Sequence, residues 1–180
     1  MKLIDTKISD LKILEPSVFT DDRGYFFESY SYQKMKDLGM DNVFVQDNES
    51  KSQRGVLRGL HFQNPPFAQA KLVRVVKGAV LDVAVDIRKN SPTYGQHVCV
   101  ELSEQNKRMF YIPEGFAHGF LVLEDDTIFS YKCSQFYNKE SEGSLLWNDE
   151  TLNIKWGFDN PILSEKDKIA PKFLEFQSSF

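Results

Sequence analysis

The chain has 180 residues but only two cysteines, Cys99 and Cys133, and three histidines, His61, His97 and His118. Neither cysteine has metal or redox spacing. Both lie in strand-like sequence, where buried free thiols are expected, which argues against a disulfide scaffold or a dithiol centre. No stretch approaches the ~18 apolar residues that a membrane span requires. The opening MKLIDTKISDLKILEP scatters charges where a secretion signal would need an apolar run. Positive charge is not in excess, with 22 Lys and Arg against 26 Asp and Glu. A nucleic-acid binder would carry a basic footprint, so any anionic ligand here must be held by a local cluster of Arg and Lys. Repeats, low-complexity tracts and linkers are also missing. These absences lead to the expectation of a soluble, reduced, cytoplasmic protein with one domain over residues 1–180.

What the chain does have is strand pattern and aromatic bulk, 13% of it Phe, Tyr or Trp. In LDVAVDIR, Leu81, Val83, Val85 and Ile87 alternate with Asp82, Ala84, Asp86 and Arg88, a period of two with one apolar face. LVRVV upstream ends at Lys77-Gly78, so residues 72–88 read as a hairpin. HVCVEL, RMFYI, GFLVL and TIFSYKC follow at short intervals between turn residues, the spacing of an antiparallel sandwich or barrel. Helices are few. YQKMKDLG, residues 32–39, ends in a C-capping glycine, and SEKDKIAPK, residues 164–172, opens with Ser164 and Asp167 in a capping-box arrangement and stops at Pro171.

Two stretches look chemical. In RGVLRGLHFQ, residues 54–63, His61 stands in a strand with Arg58 and Gly59 before it and Lys71 beyond. It reads either as a core histidine bonded to a carbonyl or as a functional group. An ideal strand points Arg58 and His61 to opposite faces, and a bulge at Gly59 would bring both to one cavity. In IPEGFAHGF, residues 112–120, His118 follows a Pro-Gly turn, and Gly119 lets the backbone pass close to a neighbour. Histidines on two strands of a barrel raise the question of a metal. Metal-binding cupins present His-x-His on the first of these strands, however, and this chain reads HFQ there. Gln63 is a poor ligand, two histidines are too few, and no catalytic metal or other cofactor is expected. Acid–base chemistry by side chains remains. Tyr131 in FSYKCSQFY reads as packing or as an acid, and a His base facing a Tyr acid would take a proton from one face of a carbon and return it to the other.

DDRGYFFESY, FVQDNESKS, VLRGLHFQ, AQAKLVRVVKGAVLDVAVDIRKNSPTYGQ, IPEGFAHGF, YKCSQFY, SEGSLLWND and PILSEKD, in this order, resemble the dTDP-4-dehydrorhamnose 3,5-epimerase family from about residue 10 to residue 171. The resemblance implies an all-β, cupin-type jelly roll working as a homodimer, with residues 1–30 crossing to the partner. It also implies epimerisation of dTDP-4-dehydro-6-deoxy-D-glucose at C3 and C5, both next to the C4 ketone. By the resemblance His61 is the base and Asp167 its partner, Tyr131 is the proton donor, and Lys71 lies near the ketone oxygen. Arg23, Glu28, Gln46, Asp47, Asn48, Arg58, His118, Glu142 and Lys166 fall on substrate contacts, and Tyr137 on the thymine-stacking position. The chain departs from the pattern at His97, where a bulky aromatic is frequent, and at Asn138, where a proline is. The alternatives are an epimerase working at C3 or C5 alone, a non-catalytic nucleotide-sugar binder, and a metal-dependent cupin oxygenase.

Overall fold

A computed structural model describes residues 1–180. The strands are β1 (Lys2–Asp5), β2 (Lys12–Glu15), β3 (Phe19–Asp21), β4 (Gly24–Phe26), β5 (Gln46–Ser52), β6 (Leu57–Gln63), β7 (Lys71–Lys77), β8 (Ala79–Asp86), β9 (His97–Ser103), β10 (Met109–Ile112), β11 (Phe116–Val122), β12 (Thr127–Cys133) and β13 (Glu142–Ser144). Two short helices, α1 (Tyr32–Asp37) and α2 (Glu165–Lys168), complete the set with two 3₁₀ turns. The strands form a six-stranded sheet in the order β1-β2-β10-β7-β12-β5 and a five-stranded sheet in the order β13-β6-β11-β8-β9. The separate hairpin β3-β4 pairs only with itself. This is the expected all-β jelly roll.

The main core lies between the sheets, where Val73, Val75, Phe110 and Phe129 of one meet Ala84, Val98, Val100 and Phe120 of the other. Phe120 and Phe129 stack with ring centroids 4.0 Å apart, joining the two layers at their centre. The outer face of the five-stranded sheet buries Leu60, Phe62, Val83, Val85 and Leu121 under the C-terminal segment, through Leu145, Leu152, Trp156 and Phe173. Met35 of α1 packs with Leu14, Leu72 and Met109 on the outside of the other sheet. Each such side chain contributes roughly 1.5–3 kcal/mol by leaving water.

Three expectations are corrected. Residues 72–88 are not a hairpin: β7 and β8 belong to different sheets, and Gly78, at φ +80°, turns the chain from one to the other. A Cβ at Gly78 would collide with Thr127 Oγ1. Alternating apolar strands look the same whether they pair side by side or face each other across a core. Cys99 is exposed and only Cys133 is buried, because β9 is an edge strand that turns Cys99 and Glu101 outward. The helix expected over 164–172 shortens to Glu165–Lys168, with Ser164 as its N-cap.

Truncating Phe129 removes the central stack. Phe129→Ala is expected to lower the unfolding free energy by about 3–5 kcal/mol in a urea titration.

Candidate active site

Because the strands of each sheet alternate, inward-facing polar side chains converge where the sheets part. A cavity of about 600 Å³ opens there, lined by Arg58, His61 and His118 from the five-stranded sheet, Asn48, Lys71 and Tyr131 from the other, and Ser164 and Asp167 from the segment around α2. A contiguous recess of about 350 Å³ shares Asn48, His61, Lys71 and Tyr131 and adds Gln46, Gln63, Tyr137 and Glu142.

The bulge expected at Gly59 is present. His118 pairs with His61 and Phe120 with Arg58, so two residues of β6, Gly59 and Leu60, oppose the single Gly119 of β11. The extra residue turns Arg58 and His61 to the same cavity. Gly59 sits at φ +128°, and a Cβ there would meet Gly119 Cα at 2.5 Å. The neighbour that Gly119 accommodates is therefore Gly59.

His61 Nε2 lies 2.5 Å from Asp167 Oδ1, while Asp167 Oδ2 accepts a hydrogen bond from Ser164 Oγ at 2.8 Å. Asp167 is only 2% exposed. Burial alone would push its carboxyl up, but the hydrogen bond and attraction from His61, with Ser164 and Lys166, outweigh it and hold the group below the usual carboxylate range. An ionised carboxylate only accepts, so Nε2 carries the donated proton and Nδ1 keeps the lone pair that a base needs.

His118 makes a second pair. Its Nε2 is 3.0 Å from both oxygens of Asp82, a carboxylate with no exposed surface. Asp82 occupies the supposedly polar side of the β8 alternation, which faces the interior. Burial pushes the His118 ring below its ordinary range, against the pull of Asp82. Burial likewise pushes Lys71 down. Burial, with help from Cys133, pushes the Tyr131 hydroxyl up, so at neutral pH it holds its proton.

At the rim Lys166 and Glu142 form an ion pair at 2.6 Å, and Tyr137 presents a half-exposed ring. Three expected contacts are not brought to the cavity by this chain. Asp47 points outward from β5 and pairs with Lys132 at 2.9 Å. Arg23 is ion-paired with Asp21 at 2.6 Å on the β3-β4 hairpin, and Glu28 with Lys34 at 2.9 Å. Sequence reading missed Asp82 and gave Ser164 only a capping role. The buried phase of β8 was the available signal for Asp82.

A jelly roll whose cleft sets a carboxylate-backed histidine on one sheet and a protonated tyrosine on the other defines a proton-transfer enzyme of the cupin type. The family model described as dTDP-4-dehydrorhamnose 3,5-epimerase matches residues 5–175. An enzyme of that name from Shigella flexneri is 54% identical over 97% of each chain. Solved structures agree: the enzyme of that name from Elizabethkingia anophelis NUHP1 is 55% identical with a TM-score of 0.93, covering 97% of each chain. The dTDP-6-deoxy-D-glucose-3,5-epimerase from Legionella pneumophila Philadelphia 1, solved with dTDP-4-keto-L-rhamnose, is 50% identical with a TM-score of 0.92, covering 95% of this chain and 92% of that one. The chain belongs to the dTDP-4-dehydrorhamnose 3,5-epimerase family and is a carbohydrate epimerase.

The direction of the His118 shift has a consequence for pH. A histidine whose folded pKa lies below its unfolded value near 6.5 destabilises the fold as pH drops through that value, because the unfolded chain takes the proton first. NMR of the ring is expected to show His118 titrating below the ordinary histidine range, and the loss of stability on acidification through that range is expected to flatten in His118→Asn.

Proposed function

We propose that the chain inverts C3 and C5 of dTDP-4-dehydro-6-deoxy-D-glucose to give dTDP-4-dehydro-L-rhamnose, with His61 as base and Tyr131 as acid. The observation that carries this reading is the placement of the His61–Asp167 pair and Tyr131 on opposite sheets across one cavity. The C4 ketone acidifies the hydrogens on both neighbouring carbons. His61 Nδ1 takes one as a proton, the electrons pass to the ketone oxygen as an enolate, and the Lys71 ammonium stabilises the charge developing there. Tyr131 returns a proton to the carbon from the other face. The sugar begins and ends at the same oxidation state, so the step requires no electron acceptor. Asp167 steadies the imidazolium that forms on His61.

Arg58, hydrogen-bonded to Ser52 Oγ at 3.1 Å, suits the diphosphate because a guanidinium pairs two oxygens at once. Gln46, Asn48, His118, Glu142 and Lys166 complete the polar wall, and Tyr137 stacks on thymine. Arg23 and Glu28 reach a site only if a second copy supplies them. The β3-β4 hairpin supports that reading, since Phe19, Tyr25 and Phe26 are 66%, 58% and 71% exposed on it. The working form is then a homodimer in the cytoplasm, with residues 1–30 crossing to the partner. The acidic charge balance fits a protein without a nucleic-acid partner.

Incubation with the substrate in D2O is expected to place deuterium at both C3 and C5. His61→Ala and Asp167→Asn should each lower turnover by roughly 10²–10⁴-fold, whereas Tyr131→Phe should keep exchange and lose inversion. Label at one carbon only would reassign the chain to single epimerisation.

Mixing tests the dimer. His61→Ala and Arg23→Ala proteins, each nearly inactive alone, should regain activity when refolded together, because one site of the mixed dimer then holds an intact His61 and an intact Arg23. No recovery would mean that Arg23 serves its own chain or none.

A further inference from the structure

Residues 134–138, Ser-Gln-Phe-Tyr-Asn, leave β12 and carry Tyr137 outside any strand or helix. Phe136 and Tyr137 are 62% and 57% exposed, so packing does not fix the ring. The polar backbone of this segment must nonetheless find partners, and three glutamine side chains from other parts of the chain supply several of them. Gln69 Nε2 donates to the Gln135 carbonyl at 2.8 Å, and Gln46 Oε1 accepts from Tyr137 N–H at 3.1 Å. Gln63 Nε2 donates to the Phe136 carbonyl at 3.2 Å, and its Oε1 accepts from Asn138 N–H at 2.8 Å. Gln63 thus holds the backbone on both sides of Tyr137.

Gln63 is 4% exposed, and its second Nε2 hydrogen goes to the Phe67 carbonyl at 2.7 Å. Two carbonyls and one N–H dictate the orientation of the amide. They also dictate its identity: a neutral imidazole has one donor and one acceptor, and a carboxylate has no donor, so neither satisfies the site. A proline at 138 would have no N–H to give. The position that breaks the His-x-His pattern therefore has its own use, directed at the loop and away from a metal. Gln46 extends the connection, since its Nε2 donates to Asn48 Oδ1 at 3.0 Å and Asn48 lines the main cavity.

We propose that Gln63 is a positioning residue for Tyr137, clamping the loop with Gln46 and Gln69 so that the phenol ring stands ready as a platform for the nucleobase. The proposal rests on the reading of Tyr137 as the stacking residue. A loop whose backbone is fixed before binding loses less conformational freedom when the base stacks on its tyrosine, so the clamp acts on affinity for the base and not on proton transfer.

Gln63→Met keeps length and bulk and removes all three bonds. Calorimetry is expected to show dTDP affinity and KM weakened roughly fivefold or more, the lower range of one base stack, with inorganic pyrophosphate binding unchanged and kcat within about twofold. Tyr137→Ala should weaken dTDP binding at least as much, and the double variant no further than Tyr137→Ala alone. Unchanged dTDP affinity in Gln63→Met, an equal loss for pyrophosphate, or full additivity with Tyr137→Ala would overturn the clamp and leave the platform standing. A Tyr137→Ala protein that binds dTDP normally would overturn the platform and the clamp with it. If Gln63→Met does not fold, Gln69→Met releases the Gln135 carbonyl alone; the same dTDP-selective loss supports the clamp, and normal binding overturns it.

Discussion

The contact between Asp167 and His61 joins residues 106 apart in the chain, and the cleft depends on it. Asp167 belongs to a helix of four residues, too short to be stable by itself. Its place is set by the segment that wraps the five-stranded sheet. Leu146 N–H donates to the Pro171 carbonyl, and Asp149 Oδ2 accepts from Phe173 N–H at 2.8 Å. Trp156 and Phe173 bury against the sheet beside them. The apolar face of β8 thus does more than stabilise the fold: the wrap it holds brings a carboxylate back to β6.

In the proposed mechanism the two sheets divide the chemistry as well as the core. His61, His118 and Arg58 come from one, Lys71, Tyr131 and Asn48 from the other. Removal of a proton from one face of a carbon and its return to the other requires groups that cannot relax toward each other. Two packed layers, pinned at Phe120 and Phe129, provide that separation. The same burial that fixes the groups also tunes them, raising Tyr131 and lowering Lys71.

The strand alternation made the all-β class legible, and Gly59 beside His61 made the bulge legible, because both are local patterns. Which sheet each strand joins is not local, which is why β7 and β8 read as a hairpin. Asp82 was hidden by a rule of thumb: alternating polar residues usually face water, and here that side of β8 faces the interior, where Asp82 is buried against His118. Asp167 could be read as the capping-box partner of Ser164, whose hydroxyl caps the helix and also bonds the carboxylate, but its pairing with His61 is a contact over a hundred residues away. Arg23 and Glu28 entered by resemblance alone, and within one chain they stay apart from the cleft. Gln63 was legible only as a missing ligand, since the loop it holds lies 73 residues further on.

At Gly59 and Gly119 the backbones of β6 and β11 approach more closely than any side chain permits, with a Cβ on Gly119 falling 2.9 Å from the Arg58 carbonyl oxygen. The two glycines therefore behave as a single locus written in two places. A methyl group at either would pry the strands apart at the level of His61 and His118, and no change at the other could restore the spacing, since glycine has nothing left to give up. LRGLHF and FAHGF must therefore each keep their glycine, and a descendant of this barrel that lost either one would have to remake the seam beneath both histidines.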